Sequence, residues 1–197
     1  MKNQMHTIKI FIALAMIAGI IFLYLFYASL TPSHKLNIGT KINDSSNQFI
    51  AQFTLIDEEG KRFTADDLKG HLSLIYFGVS YSSDDKDGLR KIEDIIKILK
   101  KENIIVQVVF ITLDPQYDTS KVLKEYLETI DVKFIGLTGN SANIKQTADQ
   151  FNVFYEPKKF NPESGEYTLK HTNFVYLISS DGRFLNHYCL SLPKNAY

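Results

Sequence analysis

Two apolar segments separated by an amphipathic one place the strongest constraint on the fold of this chain. Leu72–Val79 (LSLIYFGV) and Ile104–Leu113 (IIVQVVFITL) are almost continuously apolar, as strands buried on both faces of a sheet are. Between them, apolar residues recur at intervals of three and four, which predicts an amphipathic helix over about 84–103. A buried strand, a helix and a second buried strand predict a parallel β-α-β unit.

The rest of the sequence continues this alternation of strands and helices. Strands are predicted at 49–56, 133–137, 174–178 and 183–189, and helices at 64–68, 120–130 and 141–151, with Thr64, Ser120 and Ser141 as N-caps. The dipeptide Asp181-Gly182 predicts a two-residue turn between the last two strands. The order predicts an α/β fold of the thioredoxin-like type, with a mixed central sheet flanked by helices.

The amino-terminal segment predicts a membrane anchor. Ile10–Leu30 contains 21 residues without a charge, and about 20 apolar residues span a bilayer as a helix. The alternative, a cleaved signal peptide, has a shorter apolar region of roughly 7–15 residues. Lys2 and Lys9 precede the segment, which favours a cytoplasmic amino terminus. The predicted parts are a cytoplasmic terminus (1–9), a transmembrane anchor (10–30), a polar tether (31–47) and a domain (48–197) on the periplasmic side of a bacterial inner membrane.

Charge and cysteine content exclude several classes of function. Lys+Arg and Asp+Glu are both 22, so the formal net charge is zero. Nucleic-acid-binding proteins normally carry a basic excess, so nucleic acid is not an expected partner. The single cysteine, Cys189, excludes an internal disulfide, a C-x-x-C redox pair and a metal site with several thiolates from one chain.

Several short sequences, in their order and spacing, resemble one known family. They are LSLIYFG (72–78), VFITLDPQYDT (109–119), LKEY (123–126), FIGLTG (134–139), His171 and YLISSDGRFL (176–185). Together they resemble the Sco/SenC family, the membrane-anchored copper proteins of cytochrome c oxidase assembly, over about residues 49–188. The resemblance implies a thioredoxin fold and a role in building the binuclear copper centre of the oxidase.

The sequence departs from this family at the copper site. In the family, the Phe-Gly pair is followed four residues later by C-x-x-x-C, and the two thiolates and a distant histidine bind copper. Here Ser82 and Lys86 occupy the two cysteine positions, and His171 matches the third ligand. A serine hydroxyl is a hard ligand and a lysine is a cation, whereas Cu(I) requires soft thiolates. We therefore expect no copper or other cofactor of the family type, and no thiol–disulfide exchange.

Other chemistry remains open at these positions. Ser82 and His171 could form a nucleophile–base pair, which keeps a thiol-independent hydrolase as an alternative. Ser82 and His171 with Asp84 and Asp85 could instead hold a hard divalent ion such as Zn²⁺ or Mn²⁺. The favoured interpretation is that Asp84 and Asp85 form the start of a helix, where negative charge meets the positive end of the dipole.

The single cysteine could rescue a copper site only in a favourable strand register. Asp181-Gly182 sets Cys189 opposite Phe174 and His187 opposite Tyr176, with His171 on the other face of the sheet. We therefore interpret Cys189 as a small, partly buried apolar residue rather than as a substitute ligand.

Two further acidic residues follow the second buried strand. Asp114 and Asp118 flank Pro115. Aspartate side chains at such positions commonly accept hydrogen bonds from nearby backbone N–H groups. We interpret them as turn residues rather than as metal ligands.

The sequence thus predicts a membrane-anchored Sco-like accessory factor whose copper site is degenerate. It is expected not to be an enzyme and to act through contacts with cytochrome c oxidase subunit II or another assembly factor. The alternative is a non-catalytic thioredoxin-fold module that binds proteins and has no link to copper.

Overall fold

The computed structural model describes residues 51–161 and 166–190 of the chain. These residues form nine strands, three α-helices and a short 3-10 helix. In chain order they are β1 (Thr54–Asp57), β2 (Arg62–Thr64), the 3-10 helix (Ala65–Leu68), β3 (Leu72–Gly78), α1 (Ser83–Lys101), β4 (Val106–Thr112), α2 (Ser120–Leu127), β5 (Ile135–Thr138), α3 (Ser141–Gln150), β6 (Lys159–Asn161), β7 (Glu166–Thr168), β8 (Phe174–Ile178) and β9 (Phe184–Cys189).

Seven of the strands form one mixed sheet in the order β2-β1-β5-β4-β3-β8-β9. The central strands β3, β4 and β5 are parallel neighbours, and α1 and α2 connect them. Strands β1 and β8 pair antiparallel with β5 and β3, respectively. The predicted β-α-β unit and mixed central sheet are confirmed.

Both faces of the sheet are covered, which explains the continuous apolar character of its central strands. Alternate residues of β3 and β4 belong to two separate cores. One core contains Ile75, Phe77, Val109 and Ile111 together with Ile144 of α3 and Leu68 of the 3-10 helix. The other contains Leu74, Tyr76, Val108 and Phe110 together with Leu89 and Ile92 of α1 and Leu123 of α2. The buried site described below lies on the side of the second core, between β3 and α1.

Two of the three predicted helix caps differ from the observed caps by one residue. Thr64 precedes the 3-10 helix as predicted, but the caps of α2 and α3 are Thr119 and Asn140 rather than Ser120 and Ser141. Threonine and asparagine side chains also accept N–H bonds of a first helical turn. A cap-forming residue precedes each predicted cap, so the helix begins one position earlier.

The closing hairpin contains one more loop residue than predicted. The N–H of Ser179 donates to the carbonyl of Arg183 at 2.9 Å, which leaves three residues in the loop, and Gly182 adopts a φ of 83°. A bulge between Leu177 and Ile178 absorbs the shift. The predicted pairs are therefore present, Cys189 with Phe174 and His187 with Tyr176.

A second, two-stranded sheet was not predicted. Strands β6 and β7 pair antiparallel, and their base is formed by a bridge between Tyr155 and His171. The N–H of Glu156 also donates to the carbonyl of Lys170 at 2.8 Å. We refer to residues 155–161 and 166–171 as the hairpin arm. Its strands are only three residues long, too short to give a periodic pattern.

The predicted anchor (10–30), tether (31–47) and start of the domain at residue 48 lie outside the described residues. Within the part of the chain that the structure describes, no helix is both long and apolar enough to cross a membrane.

Candidate functional site

A buried carboxylate lies between the carboxyl end of β3 and the start of α1. Asp85 is in the first turn of α1, and its side chain is only 1% exposed. Ser82 is the N-cap of this helix, and its Oγ accepts the N–H of Asp85 at 3.2 Å. The Asp85 carboxylate accepts the N–H of Val79 at 2.9 Å and the hydroxyl of Tyr76 at 2.6 Å. The start of α1 is therefore hydrogen-bonded to the end of β3 through one side chain.

Two glycines make room for this arrangement. A Cβ atom at Gly78 would lie 2.9 Å from Cγ of Asp85. A Cβ atom at Gly88 would lie 2.9 Å from the hydroxyl oxygen of Tyr76. Larger residues at either position would displace the carboxylate or the phenol. Burial, followed by the charge of Asp85, raises the pKa of the Tyr76 hydroxyl far above its usual range, so this hydroxyl remains a hydrogen-bond donor.

His171 completes the site from the end of the hairpin arm. Its side chain is 7% exposed, and Nε2 lies 2.9 Å from Oδ1 of Asp85. Nδ1 lies 3.0 Å from the carbonyl oxygen of Thr172. A carboxylate and a carbonyl accept hydrogen bonds, so these two contacts favour the form of the ring that carries a hydrogen on both nitrogens, the imidazolium. Burial lowers the pKa of His171, but the hydrogen bond and charge of Asp85 and the Thr172 carbonyl outweigh it, and the net pKa is raised.

The two residues at the cysteine positions of the family have different environments. Ser82 is half-buried and caps α1. Lys86 is exposed, and its N–H donates to the carbonyl of Ser82 at 3.1 Å. The structure therefore places Ser82 and Lys86 one helical turn apart, at the start of α1. Asp85 links Ser82 to His171, because its backbone N–H donates to the Oγ of Ser82 and its carboxylate is hydrogen-bonded to Nε2 of His171.

The two first-turn acids have different roles. Both lie in the first turn of α1, as predicted, but Asp84 is exposed and Asp85 is buried. Asp85 is followed by Leu89 and Ile92, four and seven residues later, which are buried on the same face of the helix. This spacing was the signal in the sequence that could have identified Asp85 as an inward-facing residue.

The described residues do not fit a metal ion of the family type. Across residues 51–161 and 166–190, no group of three or more His, Cys, Asp or Glu side chains is arranged to hold a metal. Thiolates are absent from the two ligand positions, and His171 has both nitrogens engaged. The alternative of a hard divalent ion at Ser82, Asp84, Asp85 and His171 stays a prediction; in this structure Asp85 and His171 are bonded to each other.

Asp118 stabilises the loop that leads into the site. It is fully buried and accepts the N–H of Ser80 at 3.1 Å, the Ser80 hydroxyl and, at 2.6 Å, the Thr112 hydroxyl. Burial raises the pKa of Asp118, although these hydrogen bonds oppose the shift. The turn interpretation was incomplete, because this carboxylate connects β4 to the loop after β3.

Asp114 also contacts residues that are far away in the sequence. Its carboxylate accepts the hydroxyl of Tyr81 at 3.1 Å and pairs with Lys158 at 2.8 Å. Its own N–H donates to the Thr112 hydroxyl at 3.0 Å, which is the local turn contact. Asp114 thus connects the loop after β4 to the hairpin arm.

Cys189 is exposed rather than partly buried, because β9 is an edge strand of the sheet. His187 lies against Phe174, with ring centroids 4.8 Å apart, and against Tyr176 of the first core. His171 instead contacts Tyr76 of the second core. The two histidines lie on opposite faces of the sheet, as the predicted register required.

Comparisons with known proteins identify the family. The sequence model of SCO1/SenC matches residues 42–196. A SCO2-like protein of Rickettsia bellii is 66% identical over 194 residues, covering 98% of this chain and 97% of that protein. Arabidopsis thaliana ScoI with copper bound is 32% identical with a TM-score of 0.65, covering 74% of this chain and 88% of that one. Yeast Sco1 is 32% identical with a TM-score of 0.66, covering 73% and 88%.

The fold thus defines a Sco-type protein of mixed α/β, thioredoxin-like architecture, as predicted. The chain belongs to the SCO1/SenC family. The Sco family consists of cytochrome c oxidase assembly proteins, so the predicted role in copper handling and oxidase assembly is confirmed at the level of the family.

Proposed function

We propose that this chain is an accessory factor in cytochrome c oxidase assembly that acts through protein contacts, and in which the Asp85–His171 pair takes the place of a bound copper ion. The observation that carries the proposal is the double engagement of the His171 ring. Nε2 is bonded to Asp85 and Nδ1 to a backbone carbonyl.

The chemistry of the site supports loss of copper binding. Cu(I) needs soft donors with free electron pairs, and an imidazolium has no free ring nitrogen. The other two positions carry the hydroxyl of Ser82 and the exposed ammonium of Lys86. A metal ion would have to displace Asp85 and the proton of His171 and approach a cation.

The same geometry argues against a catalytic role. A serine nucleophile needs a neutral base with a free ring nitrogen. His171 has none, and the Oγ of Ser82 caps α1. We therefore propose no hydrolase activity, which agrees with a family whose members are generally not enzymes.

The proposed location and partner follow from the sequence and the family. The apolar segment Ile10–Leu30 is proposed to anchor the chain in a bacterial inner membrane, with the domain in the periplasm. The proposed partner is cytochrome c oxidase subunit II or another assembly factor, because the family assists oxidase assembly.

A competition experiment tests the copper part of the proposal. The purified full-length chain is mixed with Cu(I) and a chromogenic chelator, and Arabidopsis ScoI, which has been seen with copper bound, serves as the positive control. We expect the control to retain copper and this chain to yield it to the chelator. Retention of one Cu(I) per chain would overturn the proposal.

Co-purification tests the partner. Capture of the tagged full-length chain from its native membrane should retain oxidase subunit II or an assembly factor of the oxidase. Capture of proteins unrelated to the oxidase, with no oxidase component, would instead support the alternative of a binding module without a link to copper.

A further inference from the structure

The hairpin arm carries a lysine enclosed by aromatic rings. The Nζ of Lys158 lies 4.8 Å from the ring centroid of Tyr81, 4.9 Å from that of Tyr117 and 4.5 Å from that of Tyr167. The carboxylate of Asp114 lies 2.8 Å from the same nitrogen. We refer to these three tyrosines and Asp114 as the tyrosine cage.

The cage joins parts of the chain that are far apart in sequence. Tyr81 belongs to the loop between β3 and α1, which leads into the site, and Tyr117 and Asp114 follow β4. Lys158 and Tyr167 belong to the two sides of the hairpin arm. One ammonium group therefore connects the arm to both loops.

The surroundings of Lys158 make this contact stronger than a surface ion pair. Its side chain is 28% exposed and that of Asp114 only 10%, so solvent screens the pair little. The faces of three aromatic rings add cation–π attraction, which increases as the cation loses water. By contrast, the neighbouring Lys159 is 67% exposed and pairs with Glu156 of the arm itself, at 2.7 Å.

Among the described residues, the outer part of the arm (156–161 and 166–168) has little buried side-chain surface, whereas Leu169 at its base belongs to the first core. Its strands pair with each other in a separate two-stranded sheet rather than with the main sheet. The rings of Phe160 and Tyr167 contact each other at a tilt of 56°, with centroids 5.1 Å apart, and both side chains are more than half exposed. Segments with little buried apolar surface open locally at low free-energy cost.

We propose that Lys158 is a latch that holds the hairpin arm against the loops bearing Tyr81 and Asp114, and that its release opens the arm without unfolding the domain. The arm ends at His171, which is bonded to Asp85 independently of Lys158, so the latch governs the outer part of the arm while its base stays attached beside the site. The inference does not depend on whether the chain carries copper.

Hydrogen exchange measured by mass spectrometry on the full-length chain tests the latch. Lys158→Met keeps the length of the side chain and removes the charge, and Lys159→Met is the matched control. We expect backbone exchange in the outer part of the arm, residues 156–161 and 166–168, to rise at least about tenfold in Lys158→Met, with β3 and β4 unchanged. Lys159→Met should match the unmodified chain.

Two outcomes would overturn the proposal. Unchanged exchange of the arm in Lys158→Met would show that the latch does not hold it. A uniform increase that includes β3 and β4 would show that Lys158 supports the whole domain rather than the arm. If Lys158→Met does not fold, Tyr117→Leu removes one half-exposed wall of the cage and should give the same arm-specific increase.

Chemical rescue separates a latch from simple filling of space. In Lys158→Ala, added methylammonium should restore slow exchange of the arm, because a small cation can occupy the tyrosine cage. Sodium at equal ionic strength should not restore it. Equal effects of both salts would show that the cage does not recognise the ammonium group.

Discussion

Replacing Asp85 by alanine should destabilise the domain by about 3 kcal/mol near pH 6. The change removes the acceptor of the Val79 N–H, of the Tyr76 hydroxyl and of His171. Removing one member of a buried ion pair typically costs about 3–5 kcal/mol. The lower end applies here for two reasons. His171 can release its proton, and the Tyr76 hydroxyl can donate instead to Oδ1 of Asn173, 3.2 Å away.

Urea unfolding of the full-length chain, followed by circular dichroism, measures this loss. Asp84→Ala is the matched control, because it removes the same charge from the same helical turn at an exposed position. We expect the control to lose less than about 1 kcal/mol, which covers the interaction with the helix dipole.

Equal losses for the two variants would refute the reasoning. They would mean that the free energy arises from charge at the helix start and not from the buried contacts of Asp85. A loss below about 1 kcal/mol in Asp85→Ala would contradict the buried ion pair itself.

Two further predictions concern the same pair. The pKa of His171 is raised in the folded state, so the contribution of protonated His171 to the free energy of unfolding is complete below the ordinary histidine pKa of about 6.5 and is lost as pH rises through the folded-state pKa. The urea concentration at the unfolding midpoint should therefore fall over that pH range. His171→Gln should make the midpoint less dependent on pH. The double variant Ser82→Cys, Lys86→Cys should bind Cu(I) tightly only when Asp85→Ala is added, because Asp85 is otherwise hydrogen-bonded to the ring nitrogen of His171. Tight Cu(I) binding by the double variant without Asp85→Ala would contradict this prediction.

The central sheet could be predicted because its strands are buried on both faces. The predicted segment Leu72–Val79 differs from β3 by one residue, since β3 ends at Gly78. The ends of β4 were less predictable, because the predicted strand began at Ile104 whereas β4 begins at Val106. Ile104 and Ile105 are apolar but exposed, so hydrophobicity alone extended the prediction too far.

The site could be predicted only in part. The positions Ser82, Lys86 and His171 were assigned through the resemblance to the family, but the partner of His171, Asp85, was not predicted. Asp84 and Asp85 look alike as first-turn acids, and only the rotation of α1 determines which one is buried. That rotation follows from Leu89 and Ile92, so the missing information was present in the helical period.

The tyrosine cage could not be predicted, because its members come from separate parts of the chain. Tyr81, Tyr117 and Lys158 share no motif or period, and the hairpin arm that brings them together has very short strands. Contacts of this kind depend on how connections cross the surface, which local patterns do not encode.

The buried ion pair joins the same two parts of the fold that a family copper ion would join. By the family resemblance, copper would be held by cysteines at the positions of Ser82 and Lys86 together with the distant histidine. Here Asp85, between those two positions, bonds directly to His171 at 2.9 Å. A carboxylate within the protein is always present, whereas a metal ion has to be loaded. Under the proposed function, the arm therefore remains connected to α1 whether copper is available or not, and a partner protein meets the same surface in both conditions.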